Sequence, residues 1–143
     1  MSFSYKYLPD VAIADAAFAV EADSWDELFA GATEAMTVVM VSLADLREDI
    51  VRELEVASES VDQLLYDWLS EIVYLKDTEG LLVKSADISV TAANGWRACG
   101  TLRGDRVDRD RQRLGQDVKA VTYHLYEVSH DGHRCHAKIV LDI

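Results

Sequence analysis

The chain has 143 residues, half of them hydrophobic and 28% charged, which suits one folded domain and excludes a disordered or membrane-embedded protein. Twenty-six Asp and Glu against fourteen Lys and Arg leave a formal charge of −12, the wrong sign for tight binding to a phosphate backbone and the right one for a basic partner protein. Asp10 and Asp15 interrupt the only early apolar run and no stretch approaches the ~20 apolar residues of a membrane span, so no leader, no membrane and no direct nucleic-acid contact are expected of this soluble, cytoplasmic chain.

In chain order, Phe3 to Leu8 is aromatic-rich and strand-like, and the run from Val11 to Val20 after Pro9 reads as a second strand or extended edge with Asp15 inside it. Ser24, with Glu27 three residues on, matches a capping box. Trp25, Leu28, Phe29, Ala32, Met36, Val39 and Met40 follow at helical spacing. Charged residues turn the chain between Leu43 and Ile50, and Ile50, Leu54 and Val56 then mark a half-buried strand. A second cap, Ser60 with Gln63, opens the strongest pattern: Val61, Leu64, Leu65, Trp68, Leu69, Ile72 and Val73 form one apolar stripe. Its polar face carries Asp62, Asp67 and Glu71, read as a solvated surface.

After Gly80 the period changes to two. Leu82–Ala92, Trp96–Arg103, Val118–Val128 and Arg134–Ile143 read as strands, joined by Asn94-Gly95, a polar loop from Gly104 to Gln116, and Asp131-Gly132. The stretch around that loop interleaves Arg103, Arg106, Arg109, Arg111 and Arg113 with four aspartates; it reads as a mobile, self-neutralising loop, with partner docking as the alternative. These elements predict an α+β fold, one domain over residues 1–143, with two helices packed on a mainly antiparallel sheet. The order hints at two related halves without a visible repeat.

The last strand carries the sharpest chemical suggestion. Ala137, Ile139, Leu141 and Ile143 share one face, and His136, Lys138, Val140 and Asp142 the other. The strand thus ends in the Asp142 side chain and the Ile143 α-carboxylate, two anions a few ångströms apart that repel by roughly 4 kcal/mol at an effective dielectric near 20. A hard divalent cation, Mg²⁺ or Ca²⁺, would answer that charge; a lysine or arginine salt bridge is the alternative. Acids within an apolar strand, as at Asp10 and Asp15, need exposure, a partner or a metal. His130, His133, Cys135 and His136 invite a zinc test, but strand alternation points them apart. Cys99 and Cys135 lack paired spacing and read as free thiols. His124 shares a strand face with Thr122 and Tyr126, and no serine or cysteine has a nucleophile's setting.

Three stretches, LLYDWLSEIVYLKDTEGLL (64–82), GQDVKAVTYH (115–124) and the closing VLDI, with SWDELFAGATEAM (24–36) in support, resemble the archease family. That resemblance implies duplicated SHS2-like modules. It also implies a non-catalytic accessory role: activation of an RtcB-type RNA ligase in tRNA splicing and RNA repair by promoting guanylylation and multiple turnover. It further implies a divalent metal site (Ca²⁺ or Mg²⁺) formed by an N-terminal aspartate, the penultimate aspartate and the terminal carboxylate, the last two falling on Asp142 and Ile143. The family's His-Thr-Ala-Asp is incomplete, since LPDVAIAD lacks the histidine and threonine. Counting back from Ser24 places the aspartate on Asp15; counting forward from Leu8 places it on Ile13, which cannot ligate. Two rival readings stand beside this one: a chaperone or binding module for another RNA-modifying enzyme, and a small metal-dependent hydrolase using the same carboxylates with His124 as base.

Overall fold

Two capping serines and two apolar stripes set the helices. In the computed structural model, which describes residues 2–9 and 15–143, α1 spans Trp25–Met40 and α2 spans Val61–Glu79. The Ser24 hydroxyl accepts the Glu27 amide (3.2 Å) and the Ser60 hydroxyl accepts that of Gln63 (3.3 Å), each satisfying a donor that the first helical turn leaves free. Gly80 closes α2 in the left-handed conformation, φ 69°, which carries no steric penalty without a Cβ.

The strands are β1 (Phe3–Tyr7), β2 (Asp15–Ala22), β3 (Ile50–Ser58), β4 (Leu81–Ala92), β5 (Trp96–Arg106), β6 (Ala120–His130) and β7 (Cys135–Asp142). Every pairing is antiparallel, and the strands divide into two sheets, β1-β2-β7-β6 and β3-β5-β4. The division does not follow the halves of the chain: β3 crosses to join β4 and β5, while β6 and β7 return to β1 and β2. Helix α1 packs on β1, β2 and β7 and also on β4; α2 packs on β6 and also on β3, β4 and β5. Both helices therefore bridge the two sheets over one core.

Phe18, Phe29, Met36, Trp68, Leu102 and Ile139 are fully buried in that core. Burial would strand the Trp68 indole N–H, but it donates to the Thr33 hydroxyl of α1 (3.1 Å), which itself donates to the Phe29 carbonyl (2.7 Å). The helix pair is thereby tied by a hydrogen bond whose loss would leave a buried donor unpaired.

Two stretches differ from expectation. The arginine-rich segment is fastened. β5 runs three residues further, to Arg106, and the Asp105 carboxylate, buried, accepts from Arg47 N (3.0 Å), Arg111 Nη2 (2.7 Å), Gln112 Nε2 (3.3 Å) and Arg106 N (2.8 Å). Arg113 pairs with Asp45, and the amides of Gly115 and Gln116 donate to Met40 and Val39 at the end of α1. The segment is self-neutralising, as its composition suggested, but hydrogen bonds to α1 and the turn after it hold it in place.

The second difference is in β6. Thr122 faces Val140 and Glu127 faces Lys138, so five steps along β6 match two along β7, and three surplus residues form a wide bulge. Leu125 within it takes φ 53°. The alternation that placed His124 with Thr122 and Tyr126 on one face is broken there, because a bulge resets which side each residue points to.

Candidate functional site

The β2–β7 register places Asp15 directly opposite Asp142, with Ala17 opposite Val140 and Phe18 opposite Ile139. Directly opposed residues of an antiparallel pair project to the same face, with Cβ atoms about 5 Å apart. Leu141, Ile139 and Ala137 turn into the core, so Asp15 and Asp142 lie on the outer face, the first half-buried and the second exposed. β7 is an interior strand: Asp142 has β2 on one side and Ala120 of β6 on the other, and its carbonyl accepts the Lys119 amide at 2.8 Å. The Ile143 side chain packs against the core, which anchors the residue bearing the adjacent carboxylate.

Among the described residues, no lysine, arginine or histidine forms an ion pair with Asp15 or Asp142. The salt-bridge alternative therefore has no partner there. Nor does any group of three or more His, Cys, Asp or Glu side chains among the described residues have an arrangement that could by itself hold a metal ion. A cation on this face would have two side-chain carboxylates and would take a third oxygen group from the Ile143 carboxylate. That all-oxygen donor set fits Mg²⁺ or Ca²⁺. Asp10 and Ile13 lie outside the described residues.

The histidines do not gather. Cys135 is buried on the core face, and burial pushes its thiol up. His136, on the outer face, lies between Glu21 (Nδ1, 3.4 Å) and Asp131 (Nε2, 3.1 Å), and His130 Nδ1 accepts the Gly132 amide (3.0 Å). His130 is therefore a turn acceptor, and Asp131 caps the same hairpin by accepting the His133 and Arg134 amides. His124 is exposed in the bulge, and its side chain makes no hydrogen bond among the described residues. Cys99 and Cys135 are both free.

A hollow of about 450 Å³ between the end of α2 and residues 107–117 is lined by Lys76, whose side chain is 9% exposed. Burial alone would push that ammonium down, but Asp117 and Asp77 outweigh it and hold it above its ordinary value. It also donates to the Val118 carbonyl (2.7 Å), so its donors are already used in holding 117–118 onto α2.

Two features had no signal in the sequence. Asp105 stands on the outer parity of β5 yet is buried, and only the fold of residues 106–113 back over it explains that. Leu125 is a leucine with positive φ, which no residue pattern announces; the nearest hint is that the motif 115–124 stops one residue short of it.

Residues 5–143 match the model of the Archease protein family. The protein archease of Methanopyrus kandleri is 33% identical over 131 residues, covering 91% of this chain and 94% of that protein. The one from Archaeoglobus fulgidus is 32% identical over 139 residues, covering 97% and 98%. The solution structure of a Methanobacterium thermoautotrophicum protein superposes with a TM-score of 0.80 at 28% identity, over 97% of this chain and 98% of that one. The crystal structure of an archease from Thermotoga maritima, described as a possible chaperone, superposes with a TM-score of 0.64 over 95% and 96% of the two chains; at 20% identity it speaks for the fold alone.

Proposed function

Because the chain belongs to the archease family, we propose that it binds one divalent cation through Asp15, Asp142 and the Ile143 carboxylate, and that it serves as an accessory protein that activates an RtcB-type RNA ligase. The single observation that carries the metal reading is the cross-strand pairing of Asp15 with Asp142. Two like charges at about 5 Å, the Cβ spacing of such a cross-strand pair, repel by roughly 1–3 kcal/mol between water-like and surface dielectrics, and a hard cation reverses the sign of that term. β2 and β7 fix the two side chains, the Lys119 amide holds the Asp142 backbone, and the core-packed Ile143 side chain anchors its own carboxylate. When bound, the ion supplies Lewis acidity toward phosphate oxygens. The −12 charge suits a basic ligase surface.

The test is guanylylation of a purified RtcB-type ligase with GTP, followed by turnover on RNA ends, with and without this protein. The expected result is faster guanylylation and multiple turnover with the native chain. Asp15→Asn or Asp142→Asn should return both to the rate of ligase alone while the circular dichroism is unchanged. Equal stimulation by the variants rejects the proposal.

A further inference from the structure

The bulge of β6 joins three observations that the carboxylate pair does not use. Leu125 sits at φ 53°, a region that leucine avoids, and the residue is 49% exposed. Tyr123, 60% exposed, lies flat on Tyr66 of α2, ring centroids 3.9 Å apart and planes within 5°. The Tyr126 hydroxyl, donating to the Asp62 carbonyl at 2.6 Å, pins the far end of the bulge to α2. A strained backbone that holds an apolar side chain in water is the reverse of what stability selects, and such outliers gather where a protein binds something. The rings beside it form a rigid platform of the kind that anchors protein interfaces.

Charge chooses the partner. Asp62 and Asp67 stand beside the platform, and Gln63 hydrogen-bonds both Asp67 (2.8 Å) and the Tyr123 hydroxyl (3.0 Å). A second copy of this −12 chain would bring acid against acid, and an anionic lipid surface or a phosphate backbone would do the same. We propose that the bulge is a protein-docking surface: Leu125 and Tyr123 enter an apolar hollow on a partner whose rim is basic. The strand places it close to the carboxylate pair, since Thr122, where the bulge begins, is two residues from Ala120, the neighbour of Asp142.

The inference rests on the ligase being the client, so purified RtcB-type ligase is the probe. Its affinity for the full chain is measured by calorimetry at low and high salt for the native protein, Leu125→Gly and Leu125→Asn. Glycine and asparagine both tolerate the left-handed backbone, so the variants should melt at or above the native temperature and bind Ca²⁺ as the native chain does. They should bind the ligase about 10-fold more weakly or worse, as loss of an interface anchor does, and native binding should weaken as salt rises. Native-like ligase binding by both variants overturns the docking surface and leaves the carboxylate site standing. Failure of the native chain to bind the ligase overturns the client and the docking surface together.

Discussion

Replacing Asp105 tests whether the arginine-rich segment is a built part of the fold. Its carboxylate has one oxygen accepting from Arg47 N, Arg111 Nη2 and Gln112 Nε2 and the other from Arg106 N. Asp105→Ala removes all four bonds and leaves the Arg111 guanidinium and two backbone donors without their acceptor. Breaking a buried charged pair on one side typically costs 3–5 kcal/mol; Arg111 is 29% exposed, so the lower end, about 3 kcal/mol, applies. For a chain of this size that is on the order of 10 °C in Tm. Asp105→Asn can keep its amide oxygen toward Arg47, Arg111 and Gln112. It loses the charge and turns an N–H₂ toward the Arg106 amide, for about half the loss, roughly 1.5 kcal/mol. Urea and thermal unfolding followed by circular dichroism measure both, and hydrogen exchange should show the amides of Gln112, Gly115 and Gln116 opening first. A loss below about 1 kcal/mol for Asp105→Ala, with exchange unchanged, would refute the reasoning.

Thr33→Val keeps the shape at a buried position but removes the acceptor of the Trp68 indole; a loss of about 1–3 kcal/mol with a changed tryptophan emission is expected, and native stability would contradict it. Acid should unfold the protein through particular carboxylates. Burial pushes Asp105 up, but its hydrogen bonds from Arg47, Arg111 and Arg106 and the Arg111 charge hold it below its ordinary value. Asp131 is held below by the Arg134 and His133 amides and by His136. Both folded-state values lie below the unfolded ones, so their stabilisation is complete above the unfolded carboxylate value of ~3.9 and is lost as pH falls through the folded values. Urea midpoints measured from pH 6 to pH 2 should fall below about pH 4, and less steeply for Asp105→Ala; an identical slope in the variant would contradict the assignment.

Both helices were legible residue by residue, because caps and apolar stripes are local: Ser24, Ser60 and Gly80 do in the fold what their positions suggested. The hairpin turns were legible for the same reason, with Asn94 and Gly95 both at positive φ. Strand partners were not. Nothing local in β3 says that it pairs with β5 rather than with the strands of its own half, and two sheets could not be told from one. The carboxylate face was half legible: parity put Asp142 away from the core, but its meeting with Asp15 depends on a β2–β7 pairing between the two ends of the chain. The bulge was hidden because three surplus residues leave a plausible alternating pattern on paper, and Asp105 because its burial comes from residues that follow it.

The most direct test of the account is thermal unfolding of the native chain with a chelator and with Ca²⁺ or Mg²⁺, beside Asp15→Asn, Asp142→Asn and a chain extended past Ile143. A cation at 100 times its dissociation constant adds about 2.7 kcal/mol, which is on the order of 5–10 °C for the native protein. Without metal the two asparagine variants should melt at or above the native temperature, because they relieve a like-charge pair, and none of the three altered chains should respond to metal. A metal-dependent rise of the same size in Asp142→Asn, or none in the native chain, would contradict the carboxylate site.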